Sequence, residues 1–176
     1  SLILFDNFIL NDGLRYLSKA NFPKLVRLSI CNNFIENEGI LYLSKSNFIQ
    51  LKILELYGNK IEGYSIKYLS EAKFRNLEEL DLKTNNIGYK EKFLSYLNFL
   101  NLKCLSISEN EIGLKGIQNL INANIPNLVI LKIYCNDIDN EGIQLLSQAN
   151  FKNLERLNIS FNLFDIEGMK YLIDAK

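Results

Sequence analysis

The chain contains no histidine and only three cysteines among its 176 residues. Without histidine, Ser-His-Asp and Cys-His nucleophile systems are excluded in their usual forms, and histidine-based zinc sites go with them. Cys31, Cys104 and Cys135 are too few for an all-cysteine zinc site, which needs four thiolates. An odd number without matched spacing makes no disulfide framework. Reduced thiols fit an intracellular, cytoplasmic setting. There is no charge excess, with 20 basic against 20 acidic residues, so a nucleic-acid partner, which calls for a basic face, is not expected. No apolar run approaches the roughly 20 residues that span a bilayer, and no secretory pattern precedes the first motif; no membrane role is expected. Gly113-Leu114-Lys115-Gly116 lacks the spacing of a phosphate-binding loop. The glycosylation-type triplet Asn158-Ile159-Ser160 lies inside a predicted strand and reads as chance, and the neighbouring carboxylates Glu78 and Glu79 read as solvated surface charge. No catalytic residue, metal or cofactor is therefore expected.

What the chain does have is a repeat. LKILELYGN at 51 recurs as LVRLSICNN at 25, LEELDLKTN at 77, LKCLSISEN at 102, LVILKIYCN at 128 and LERLNISFN at 154, with a truncated copy, LILFDN, from Leu2. The copies align on Asn7, Asn33, Asn59, Asn85, Asn110, Asn136 and Asn162, each 26 residues from the last except for one step of 25 between Asn85 and Asn110. Two places after each asparagine stands Ile9, Ile35, Ile61, Ile87, Ile112, Ile138 or Phe164. Then come polar or glycine-containing turns and apolar pairs at helical spacing, such as Ile40 with Leu43 and Ile143 with Leu146. Asn37 and Asn140 are candidate helix N-caps. Phe22, Phe48, Phe74, Phe99, Ile125 and Phe151 precede the next strand.

Each unit therefore reads as strand, turn, short helix and return loop. One unit cannot cover both sides of its apolar residues, so the units must stack. Parallel strands stack about 4.8 Å apart, whereas packed helices need roughly 8–10 Å. A ribbon with strands on one face and helices on the other must curve with its strands inside. Where the chain leaves each strand, backbone groups lose their ladder partners. A buried asparagine amide, with two donors and an acceptor, can satisfy them.

The pattern LxxLxLxxNxI resembles the leucine-rich repeat family, over nearly the whole chain. The long unit with its Glu-Gly-Ile-x-x-Leu helix is similar to the ribonuclease-inhibitor-like subclass, and no asparagine position holds cysteine, unlike the cysteine-containing one. The resemblance implies a right-handed α/β solenoid, a single domain over 1–176 of about seven repeats, with a curved parallel sheet on the concave face and short helices on the convex face. Strands are predicted near 28–30, 54–56, 80–82, 105–107, 131–133 and 157–159. Helices are predicted near 38–45, 64–71, 91–97, 115–122, 141–148 and 167–174. The fourth repeat is one residue short and carries Glu91 where its predecessor has Ile66, so its helix should start in a distorted way.

The same resemblance implies a non-catalytic protein-binding role. The residues between the strand leucines should face the concave side. Candidate partner-binding residues are Arg27, Ile53, Glu55, Tyr57, Glu79, Asp81, Lys83, Lys132, Tyr134, Arg156 and Phe161. Acid gathers at Glu55, Glu79 and Asp81 and base at Lys132 and Arg156, with Tyr57 and Tyr134 in equivalent places three repeats apart. On the convex side Tyr16, Tyr42, Tyr68 and Phe93 form an aromatic column that reads as packing between helices, with a second contact surface as the alternative. Two alternatives stand beside a free-standing module. One is the recognition or regulatory arm of a larger enzyme, of ubiquitin-ligase receptor or small-GTPase activator type. The other is a permanent subunit of a large assembly. Delivery into a host cytoplasm, as for a bacterial effector, is a second reading of location. Ser1 enters midway through a strand motif and Lys176 stops before the expected aromatic. The chain thus reads as a piece of something longer, with uncapped end repeats inclined to self-association.

Overall fold

The computed structural model describes residues 1–88 and 93–173. Seven strands lie in one open parallel sheet in chain order: β1 (Leu2–Ile3), β2 (Arg27–Ser29), β3 (Ile53–Glu55), β4 (Glu79–Asp81), β5 (Cys104–Ser106), β6 (Ile130–Lys132) and β7 (Arg156–Asn158). Between them run α1 (Leu10–Leu17), α2 (Asn37–Ser44), α3 (Ser65–Glu71), a 3-10 turn (Phe93–Tyr96), α4 (Gly113–Leu120) and α5 (Asn140–Ser147), and α6 (Ile166–Ile173) follows the last strand. The molecule is an α/β solenoid: each helix packs on the helix before and after it, and each strand pairs with its neighbours.

Register follows the leucines. Leu28, Leu54, Leu80, Leu105, Leu131 and Leu157 stand opposite one another across the sheet, because each presents its side chain to the same side of a two-residue pleat. With the helix residues Ile40, Ile66, Ile117 and Ile143 and the strand-preceding aromatics Phe48, Phe74 and Phe99, the first five of these leucines make one continuous core, while Leu157 of the last strand is exposed. Each of the six predicted strands begins one residue earlier than its motif suggests, since the ladder engages the residue before the central leucine. In the fourth repeat the helix expected over 91–97 is a 3-10 turn at Phe93–Tyr96, with residues 91 and 92, Glu91 included, outside the described part. One residue fewer tightens the connection, and a 3-10 turn spans more length per residue than an α-helix.

The asparagine column is buried in its central members, from Asn33 to Asn136. Asn59 shows its use: the amide nitrogen donates to Ile30 O (3.1 Å) and Leu56 O (2.8 Å), and its oxygen accepts from Asn33 N and Ile35 N, each at 3.0 Å. From Asn33 onward, each side chain thus ties the turn of its own repeat to the turn of the repeat before. The residue just before each asparagine has a left-handed backbone: Asp6, Asn32, Gly58, Thr84, Glu109, Cys135 and Phe161 all have φ between 52° and 68°.

Two further asparagine systems went unread in the sequence. Asn76, Asn101, Asn127 and Asn153, each just before a repeat's first leucine, donate to Ile49 O, Arg75 O, Leu100 O and Pro126 O at 2.8–3.0 Å. They staple the opposite edge of the sheet, and their recurring Asn-Leu pairs were the available signal. The third system corrects the capping assignment. Asn37 and Asn140 are the first residues of α2 and α5 and cap the next repeat, not their own. Asn37 Oδ1 accepts from Glu62 N (3.0 Å) and Ser65 Oγ (2.6 Å), and Asn140 Oδ1 accepts from Asp165 N (3.0 Å). The start of α2 is served in turn by Asn11 Oδ1, which accepts from Glu36 N and Gly39 N. A Cβ at Gly39 would stand 2.7 Å from that oxygen, which is why a glycine follows the Asn-Glu pair. The α5 cap is Asp139, whose carboxylate accepts from Gly142 N at 2.9 Å.

Candidate partner-binding face

The side of the sheet away from the helices is built from the residues that flank the strand leucines. Arg27, Glu79, Lys132, Arg156, Tyr57 and Phe161 are exposed there, while Ile53, Glu55, Asp81, Lys83 and Tyr134 are half-buried. The equivalent positions of the second and fifth repeats are different. Ser29, Cys31, Ser106 and Ser108 are buried, because short side chains there are overshadowed by longer ones on adjacent strands. Phe161, at 85% exposure, belongs to the left-handed column and not to the strand.

Charge on this face is largely settled within the chain. Arg27 makes a bidentate contact with Glu55, donating from Nε at 3.1 Å and from its terminal nitrogen at 2.6 Å. Glu55 is thus neutralised rather than part of an open acidic cluster. Lys83 pairs with Glu109 at 3.1 Å and lies over the Tyr134 ring at 5.3 Å. Tyr134 first and Glu109 second hold the Lys83 ammonium above its ordinary pKa. Thr84 Oγ1 donates to Glu109 at 2.9 Å and, with Lys83, keeps that carboxyl low. Asp81 Oδ1 accepts from Lys83 N at 2.9 Å. Tyr57 accepts from Asn32 Nδ2 at 3.2 Å, which fixes its ring beside the first strands. Among the described residues Glu79, Asp81, Lys132 and Arg156 make no ion pair. The separation of acid from base therefore survives in these four.

At the strand-start edge, Glu78 is held between Lys52 (2.7 Å) and Lys103 (2.8 Å), and those hydrogen bonds lower its pKa to about 2. Beside the strand ends an open groove of about 660 Å³ is lined by Glu62, Glu109, Glu111 and Asp137 with Cys135. The three thiols are free, and burial raises the pKa of Cys31 and Cys104. Among the described residues no group of three or more side chains suits a metal ion, and no helix is long and apolar enough to cross a membrane. On the far side, Tyr42, Tyr68 and Phe93 pack against the core, with Tyr64 edge-on to both Tyr68 and Phe93. Tyr16 stands 66% exposed.

The leucine-rich repeat family profile matches residues 75–90, 100–120 and 124–147. No curated protein matches the chain by sequence. Among solved structures, a secreted internalin-like protein of Listeria monocytogenes superimposes with a TM-score of 0.65 at 16% identity, over 94% of this chain and 59% of that one. An internalin of the same bacterium gives 0.50 at 20% identity, over 88% of this chain and 47% of that one. At such identities the likeness is one of fold. The chain thus spans about half the length of these proteins.

Proposed function

We propose that this chain, a leucine-rich repeat protein, is a non-catalytic interaction module that binds a protein partner on the concave face of its sheet. The observation that carries the reading is an open seven-stranded face whose unpaired charges, Glu79 and Asp81 against Lys132 and Arg156, are separated along the solenoid. Tyr57 and Tyr134 stand on the same face, each held by a neighbour. Rigid, partly exposed tyrosines are favoured anchors at interfaces because they bring area at little entropic cost. Charge complementarity on such a face sets orientation and association rate. Arg27, Glu55 and Lys83 serve as a pre-ordered frame, since their charges are already met. Ile53 and Phe161 add apolar area at the two ends of the tyrosine span.

The test is a photoreactive amino acid placed at the exposed Asn158 or Ser160 on the concave face and at the exposed Gln118 of α4 on the convex face. In cells that make the protein, the first two positions are expected to crosslink a common partner and Gln118 is not. Crosslinks confined to Gln118 would move the working face to the other side of the solenoid.

A further inference from the structure

The fifth strand leaves a trough in the middle of the concave face. Its successive residues there are Cys104, Ser106 and Ser108, the serines at 5% and 0% exposure and the thiol half-buried. The walls differ in sign. On one side β4 carries Glu79 and Asp81, and on the other β6 and β7 carry Lys132 and Arg156.

The register fixes the geometry. Asp81 stands opposite Ser106, and Ser106 opposite Lys132. The acid and base are thus two strand spacings apart, roughly 10 Å, and among the described residues they make no ion pair with each other. Glu79 and Arg156 lie on a parallel row through Cys104 and Ile130, three spacings or roughly 14 Å apart. At the far end the trough is closed where Lys83 reaches the Tyr134 ring across the strand that carries Ser108. That leaves the Ser108 hydroxyl buried without a partner. Burial is the main influence on the Cys104 thiol and raises its pKa, and the four charges on the two walls act on it as well, Lys132 and Arg156 favouring its thiolate and Glu79 and Asp81 opposing it.

Two walls of opposite sign that make no ion pair with each other, over a floor of short side chains, match a ligand that brings both charges at a set distance. We propose that the β5 trough seats an extended peptide segment of the partner, lying across the strands. Its basic side chain meets Glu79 and Asp81, and its acidic side chain meets Lys132 and Arg156. In an extended chain, residues four apart share a face and lie about 13 Å apart, between the two wall separations. The segment is therefore a basic and an acidic residue with three small residues between them. This rests on the concave face being the working face and names what part of it recognises.

The experiment follows the rate at which a neutral thiol reagent modifies Cys104 in a Cys135→Ser chain, where the remaining thiol, Cys31, is buried. The peptides are Lys-Ser-Ala-Ser-Glu, its Lys/Lys and Glu/Glu counterparts and the uncharged Ser/Ser form, all with blocked ends. The mixed peptide is expected to slow modification about tenfold at saturation and the others less than about twofold, as complementary charge governs the difference. In the double variant Lys132→Glu, Arg156→Glu, with folding checked by circular dichroism, protection should pass to the Lys/Lys peptide. Equal protection by all peptides, protection by none, or a preference unmoved by the reversal would each overturn the trough. A partner crosslinked through Asn158 that leaves Cys104 fully reactive would overturn the trough and leave the concave-face reading standing.

Discussion

The amide oxygen of Asn59 accepts the backbone N–H of Asn33 at 3.0 Å. Asn110 and Asn136 are joined in the same way at 2.9 Å, and Asn136 and Asn162 at 3.0 Å. Each column asparagine from Asn33 onward closes the turn of the repeat before it, so removing one strands groups in two repeats. Asn59→Ala is expected to destabilise the chain by about 1–3 kcal/mol, the cost of leaving buried groups unsatisfied. Asn7 is exposed and donates only within its own repeat, to Leu4 O and Phe5 O, so Asn7→Ala should cost far less. Urea denaturation of both variants checks this; equal losses would mean that bridging between repeats contributes little.

The left-handed position before each asparagine sets a second expectation. Gly58 alone among the seven carries no Cβ there, and a Cβ at that place would collide with Asn32 Oδ1. Gly58→Ala should therefore destabilise by at least the roughly 1–2 kcal/mol cost of a left-handed non-glycine residue. Cys135→Gly, at φ 53° and exposed, relieves that cost. Part of the gain is lost to a more flexible unfolded chain. Its denaturation midpoint in urea should rise, and a fall would show that the turn carries no strain at Cys135.

Glu78 provides a pH test. Its folded pKa lies near 2, below the ordinary carboxylate range, because Lys103 and Lys52 bind the charged form. A depressed acid contributes stability above its unfolded pKa and loses it as pH falls through the folded value. The loss therefore falls between about pH 5 and pH 2. The site is at the surface, so the stability effect is small and screened by salt. The titration itself is the sharper measurement. Carbon-detected NMR should place the Glu78 midpoint near 2 in the native chain and nearer the ordinary value in Lys52→Ala, Lys103→Ala. An unmoved midpoint would mean that the lysines do not bind the carboxylate in solution.

With a partner in hand, Tyr57→Ala and Tyr134→Ala should each weaken binding by about 2 kcal/mol or more, as anchor residues do, while the chain stays folded. Tyr68→Ala, which removes a ring packed against the core and edge-on to Tyr64, should lower stability and leave affinity of the folded chain intact. Calorimetric titration alongside thermal melts separates the two. The opposite pattern would assign binding to the helical side.

Much of this was legible before any coordinates, and the legible part is periodic. In a stacked solenoid each residue sits between its own copies above and below. A leucine recurring at one interval must then meet leucines, as Leu54 meets Leu28 and Leu80. An asparagine recurring at the turn must meet the same open backbone groups each time. The parallel sheet, the core and the main asparagine column follow from that alone. The Asn-Leu staple at the opposite edge was equally periodic and could have been read. What only the tertiary structure decided lies where neighbouring repeats differ. Whether Glu55 is free depends on Arg27 reaching one strand across. Whether Ser108 is exposed depends on Lys83 and Tyr134, one strand to either side. Asn37 caps the repeat ahead because its side chain crosses to Glu62 N, a direction that sequence position does not encode. These outcomes turn on the length, rotamer and charge of particular side chains brought together from different repeats. A repeating pattern specifies where each of them stands, but not which neighbour each one touches.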